Sequence, residues 1–186
     1  MQFVGMENLS TRRLVLRRFR REDVQDYFDR IGSREPVTRG MLWSPHESIR
    51  DSADSVEKAL RRYEEGKCYR WAVAASEDDR VIGVVELLRF DEEESSCSFA
   101  YMLGDDYWGK GYGTEALGAA FGFAFGKMGI EVIRADHFST NPASGAVMRK
   151  LGMRYTGREP GAYEKNGQRI DAMCYEIRKE EFQGGI

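Results

Sequence analysis

With 186 residues, 41% of them hydrophobic and 32% charged, the chain is long enough for one domain with a real core and has little left for a second. The net charge of −3, with both signs interspersed, argues against a general nucleic-acid binder, which concentrates a basic excess on one face. No apolar run reaches the roughly 18 residues a membrane span needs, and Met1 to Arg20 lacks the apolar stretch of a signal peptide.

The three cysteines, Cys68, Cys97 and Cys174, are odd in number and far apart. They fit reduced thiols of a cytoplasmic protein better than a disulfide framework or a zinc site. With only His46 and His137 present, a histidine-rich metal site is not expected, and no metal is assigned. The basic stretch Arg12 to Arg21 is broken by Leu14, Val15, Leu16 and Phe19. It reads as a strand with a solvated face rather than a polyanion site.

In chain order, Leu14-Val15-Leu16 reads as a short strand. Glu22 to Ile31 reads as a helix, with Val24, Tyr27, Phe28 and Ile31 on one face. Arg34 to Ser48 holds Pro36, Gly40 and Pro45 and reads as a loop. A second helix is predicted from about Asp51 to Glu65, buried through Ala53, Val56, Leu60 and Tyr63, with Gly66 at its C-terminal cap. Strands follow at Tyr69 to Ala75, Val81 to Phe90 and Cys97 to Leu103, joined by polar turns that favour an antiparallel meander. Tyr112 to Met128, rich in Ala and Phe, reads as a mostly buried helix. Val132 to Phe138 is a strand and Asn141 to Leu151 a helix, with Asn141 as N-cap and Pro142 as its first residue. Two final strands, about Arg154 to Arg158 and Asp171 to Arg178, flank a loop holding Gly161 and Asn166-Gly167. The order is α+β with one strand–helix–strand crossover, which predicts a mixed sheet covered by helices.

The strongest chemical signal is Trp108-Gly109-Lys110-Gly111-Tyr112-Gly113-Thr114, lying between a predicted strand and a buried helix. Its glycines let backbone N–H groups approach an anion, and the helix start adds unpaired donors and a positive dipole end. Together these form a pyrophosphate site, with Lys110 adding charge from the rim. The spacing matches neither the dinucleotide fingerprint nor the P-loop, so the glycines alone leave the cofactor open. Asn141-Pro142-Ala143-Ser144 running on to Lys150-Leu151-Gly152-Met153 starts a second helix that can face a ligand.

These two segments together resemble the acetyl-CoA site of the GNAT acetyltransferases. The opening Thr11-Arg12-Arg13-Leu14-Val15-Leu16-Arg17 resembles the first strand of the ribosomal-protein N-terminal acetyltransferase branch. The ending Asn166-Gly167-Gln168-Arg169-Ile170-Asp171 to Tyr175-Glu176-Ile177 resembles its last hairpin. The match spans roughly Leu9 to Phe182. The resemblance implies a single GNAT domain over the whole chain: a mixed, mostly antiparallel central sheet with helices on both faces. It also implies acetyl-CoA as cosubstrate, a primary amine acceptor (in this branch a protein or peptide N-terminus) and a homodimer, with neither nucleic acid nor membrane as partner.

By the same resemblance, Trp108 through Thr114 hold the cofactor, with Gly109, Gly111, Gly113 and Thr114 around the pyrophosphate. Tyr101-Met102-Leu103 splays from its neighbour, pairs with the pantetheine and supplies an oxyanion donor. Asn141 touches the pantetheine arm and Ser144 lies near the sulfur. Many members carry a general-acid Tyr where this chain has Met148, so Ser144 or water protonates the thiolate, or no acid is needed. This departure keeps a CoA-holding module without turnover open as a second reading. A different phosphate-cofactor enzyme, such as a small oxidoreductase, is a third. Arg39, Trp43 and His46 lie where the family borders its acceptor pocket, and Trp43 either lines that pocket or covers the core.

Glu86, flanked by Val84, Val85, Leu87 and Leu88, is either a general base or the exposed position of its strand. Tyr101 is a second base candidate or a core residue, and His137 meets the substrate or simply packs. None of the cysteines has an evident activating partner in sequence, so direct attack in a ternary complex is expected rather than an acetyl-enzyme.

Overall fold

The computed structural model describes residues 1–66 and 68–184. One eight-stranded sheet runs through it in the order β1-β2-β3-β4-β5-β6-β8-β7. Strands β1 (Leu9–Ser10) and β2 (Leu14–Arg17) precede an irregular helical stretch. The expected helix from Glu22 is broken there into a 3₁₀ turn, α1 (Val24–Tyr27) and a π-turn over Phe28–Gly32. Tyr27 and Ile31 are still buried, as the periodicity requires. The segment read as a loop contains a further helix, α2 (Glu35–Thr38), because Pro36 falls in its first turn, where a missing N–H is harmless. Helix α3 (Ile49–Glu64) is capped by Ser48 and Asp51 and buries Ser52, Val56, Ala59 and Tyr63. Gly66 follows it at φ +82°.

The meander β3 (Tyr69–Ala75), β4 (Val81–Asp91) and β5 (Ser96–Leu103) lies close to its expected bounds. Helix α4 (Tyr112–Gly126) carries the chain across to β6 (Val132–Phe138), which pairs with β5 as the sheet's parallel pair. Helix α5 (Pro142–Lys150) then leads to β7 (Arg154–Lys165) and β8 (Gln168–Arg178). These last strands are longer than the sequence suggested. They run through the expected loop to a two-residue turn, with Asn166 at φ 52° and Gly167 at φ 74°. Positive φ at both central residues matches the twist of a hairpin. Gly161, at φ 59°, takes up a bulge between Glu159 and Tyr163.

Two cores flank the sheet. Trp71, Val85, Phe99, Leu117, Phe121, Met148 and Ile177 pack with α4 and α5 on one face. Tyr27, Ile31, Val56, Tyr63 and Val84 pack with α1 and α3 on the other. The fold is thus the expected mixed, mostly antiparallel sheet with helices on both faces. The basic stretch departs from its reading most clearly at one residue. Arg17 is not on a solvated face but only 3% exposed, forked onto Asp23 at 2.8 and 2.9 Å and bonded to Asp79 at 2.9 Å. A guanidinium that deep requires such carboxylates, and here they tie β2 to α1 and to the β3–β4 turn.

Candidate active site

The glycine-rich segment sits where β5 hands over to α4. Gly109 and Gly111 adopt φ of 73° and 83°, and Gly111 is the N-cap of α4. This turns the first N–H groups of a long buried helix toward open space, the geometry that holds phosphates. A residue the sequence reading left among the strand arginines holds the loop in place. Arg13 donates to the carbonyl of Lys110 at 3.0 Å and lies 4.0 Å over the Tyr112 ring. It is itself pinned by Glu115, which accepts from Arg13 and from the Thr11 hydroxyl. Burial would raise the Glu115 carboxyl, but these donors outweigh it and hold it below its ordinary range. Only the sequence position of Arg13, directly before β2, hinted at this.

Beside the loop the sheet opens. β5 pairs with β6 only from Ser96 to Ser98, whereas its pairing with β4 continues to Leu103. Beyond Ser98 the two strands part, leaving one edge of Tyr101-Met102-Leu103 with no strand beside it. A cavity of about 1060 Å³ fills the gap. Its walls include Met102, Leu103, Trp108, Gly109, Gly111 and Thr114, and also Asn141 and Ser144. Asn141 caps α5 by accepting from the Ser144 N–H at 3.4 Å. Ser144 and Tyr101 line the cavity together, and the acidity of the Tyr101 phenol is weakened chiefly by burial, an effect Ser144 partly offsets, so that it stays protonated near neutrality.

The far wall is built from the 36–43 segment and the β7–β8 hairpin. Trp43 lines the cavity and packs against His46 with ring centroids 5.0 Å apart, while His46 itself points to Ser52. Arg39 reaches the rim but pairs with Glu35. Gly40 lies against the site, since a Cβ there would stand 2.6 Å from Asn141 Nδ2. Lys165, at the hairpin tip, donates to the carbonyls of Thr38 and Met41, each at 2.7 Å, closing the open end of α2. Burial is the main reason its ammonium pKa is lowered. Asp136, not singled out by sequence, accepts from the Tyr163 phenol on this wall. Burial, together with Asp136, pushes that phenol up to about 12.

Three expected site residues stand elsewhere or differently. Glu86 does not line the cavity. Its two carboxylate oxygens are taken by Arg62 at 2.7 Å and Arg70 at 2.8 Å, which suits an ion pair and not a base for an incoming amine. Lys110 turns its ammonium to the Asp106 carbonyl and is absent from the cavity wall. His137 reaches the cavity but is 9% exposed, bonded through Nδ1 to Phe138 O and packed on Tyr175. Its Nε2 faces the backbone of α5, because a Cβ at Gly145 would meet it at 2.4 Å. Gly145→Ala should therefore cost about 2 kcal/mol by overpacking, read as a lowered denaturant midpoint. An unchanged midpoint would mean the ring has room to move.

Among the described residues, no group of three or more His, Cys, Asp or Glu side chains is gathered as for a metal, and no helix is long and apolar enough to cross a membrane. The model of the GNAT acetyltransferase domain matches residues 13–154. The chain is 27% identical to an uncharacterised N-acetyltransferase, p20, of Bacillus licheniformis, over 96% of this chain and all of that one. It is 25% identical to the spermidine N(1)-acetyltransferase of Escherichia coli, over 89% of this chain and 87% of that one. A Vibrio cholerae structure provisionally named a ribosomal-protein-serine acetyltransferase superposes with a TM-score of 0.82 at 19% identity, covering 96% and 99% of the two chains. With the family's domain matched over most of its length, and a glycine-rich helix start beside a parted sheet at its centre, the chain belongs to the GNAT acetyltransferases and is an acetyl-CoA-dependent N-acetyltransferase.

Proposed function

We propose that the acceptor is the α-amine of a protein or peptide N-terminus, attacked directly in a ternary complex. The observation that carries this is the mixed charge of the cavity lining. Arg39, Arg89, Arg134 and Lys150 line the cavity against Asp136, Glu159 and Glu176. A polyamine calls for an excess of acid, whereas a peptide presents one amine followed by a polar backbone. The names of the relatives span both, a spermidine enzyme and a ribosomal-protein enzyme. Reactivity points the same way. An α-amine of pKa about 8 is freed at neutral pH at about 3 kcal/mol less cost than a lysine amine of about 10.4.

In this mechanism the glycine loop holds the pyrophosphate and the free edge of Tyr101 to Leu103 holds the pantetheine, with one N–H polarising the thioester carbonyl. The amine nitrogen bonds to the carbonyl carbon, the C–S bond breaks, and the sulfur leaves as thiolate. The amine proton passes to water or to Asp136, one of the carboxylates that line the cleft. The Tyr101–Ser144 pair returns a proton to sulfur. A thiol of pKa about 8.5 is already a tolerable leaving group, so Tyr101→Phe and Ser144→Ala should slow turnover by about tenfold. Their acetyl-CoA affinity should stay the same. A loss confined to binding would remove the pair from the chemistry. Cys97 supports direct transfer: it is buried, and burial pushes its thiol up to about 12, far from a nucleophilic thiolate.

The deciding experiment is thiol release from acetyl-CoA with a panel of N-terminal peptides, polyamines and free amino acids, followed by two-substrate kinetics. Turnover on peptides with intersecting lines is expected. Preference for polyamines, parallel lines or no turnover would each overturn the reading. The homodimer rests on family resemblance, and sedimentation near the 21.3 kDa chain mass would refute it. The cytoplasmic placement rests on reduced cysteines, and the buried Cys68 and Cys97 accord with it.

A further inference from the structure

We propose that a second, smaller pocket between α3 and β3 binds an oxyanion: a single phosphate, sulfate or carboxylate group. The pocket measures about 160 Å³ and is bounded by Ser55, Lys58, Ala59, Arg62 and Arg70. None of these residues belongs to the acetyl-CoA cleft. Ser55, Lys58 and Arg62 share one face of α3 by helical spacing, and Arg70 meets them from β3.

The charges there do not balance. Three cations face one hydrogen-bonded carboxylate, Glu86, which takes a single Nη1 from each of Arg62 and Arg70. Glu65, just past the helix, acts on Arg62 through space. The remaining guanidinium donors are left for another acceptor. Among the described residues, Arg70 Nε is a buried side-chain nitrogen with no hydrogen-bond partner. A buried donor of a charged group left unpaired is costly, and it marks Arg70 as a residue whose hydrogen-bonding capacity its neighbours in the chain do not exhaust. Ser55 and Lys58 line the same pocket, and among the described residues neither side chain has a partner. A serine, a lysine and two arginines around one small pocket carry the donor types that hold a group with several oxygens. The volume exceeds the roughly 30 Å³ share of one water several times over.

The test uses calorimetric titration of inorganic phosphate into protein saturated with CoA, at fixed ionic strength, so that the glycine loop is already occupied. Saturable binding is expected. Lys58→Glu should weaken it about tenfold and Ser55→Ala by a smaller factor. Lys58 is exposed, and both variants leave the Glu86 ion pairs intact, so folding is not at issue. Glycerol 3-phosphate is titrated in parallel. Tighter binding than phosphate assigns the site to the phosphoryl end of a larger molecule, and weaker binding assigns it to the free anion. No saturable binding, or equal affinity in the parent and Lys58→Glu, would overturn the proposal. Because the same comparison can be run without CoA, failure here is separable from failure of the acetyl-CoA site.

Discussion

Gly111→Asp is expected to weaken acetyl-CoA binding about a hundredfold while the chain keeps its fold. Gly111 sits at φ +83°, a region Asp tolerates better than most residues, and an added Cβ would touch only Arg13 Nη2, at an ordinary 3.5 Å. As N-cap of α4, an Asp even suits the helix dipole. The harm falls on the ligand. A carboxylate about 4 Å from a phosphate costs about 4 kcal/mol at the effective dielectric of a protein surface. Arg13, already paired with Glu115, offsets part of this, leaving about 3 kcal/mol. Titration with acetyl-CoA beside a circular-dichroism melt separates the two effects. Parent-like affinity would move the pyrophosphate away from this loop.

The second large effect is on stability rather than chemistry. Glu86→Gln removes the one carboxylate between Arg62 and Arg70. The side chains of Glu86 and Arg70 are only 12% and 16% exposed, so two guanidinium groups are left poorly compensated. Breaking a fully buried pair costs about 3–5 kcal/mol, and partial exposure of Arg62 places this site at the low end. About 3 kcal/mol should lower the melting temperature by roughly 6–12 °C in a chain of this size. The pH dependence of kcat/KM should keep its shape. A rate loss that fades at high pH, with an unchanged melting temperature, would restore Glu86 as the base.

Glu86 also marks the limit of what the residues disclosed. Its apolar neighbours correctly placed it on a core strand, but not its partners, which come from a helix and an adjacent strand. The glycine-rich loop, Asn141 and Ser144 could be placed at the cavity from the sequence because each belongs to a helix start written in consecutive residues. The parting of β5 from β6 was expected only by resemblance, since no local pattern encodes where two strands cease to pair. Arg13, Asp136 and Lys165 were missed for a common reason: each acts on a segment distant in sequence. The final hairpin came out too short in the sequence reading because Gly161 looks like a loop residue when it in fact relieves a bulge.

The three carbonyl contacts of Lys165, to Thr38, Met41 and more distantly Arg39, join parts of the chain more than 120 positions apart. They make this wall of the cavity a structure separate from the opposite side, which is built from β5 and the starts of α4 and α5. One half of the cavity can therefore be rewritten through the hairpin and the 36–43 segment while the other stays constant. On the acceptor reading proposed above, exchange of acceptors needs paired changes on that wall, because a shift in either segment pulls on the other through a single ammonium group.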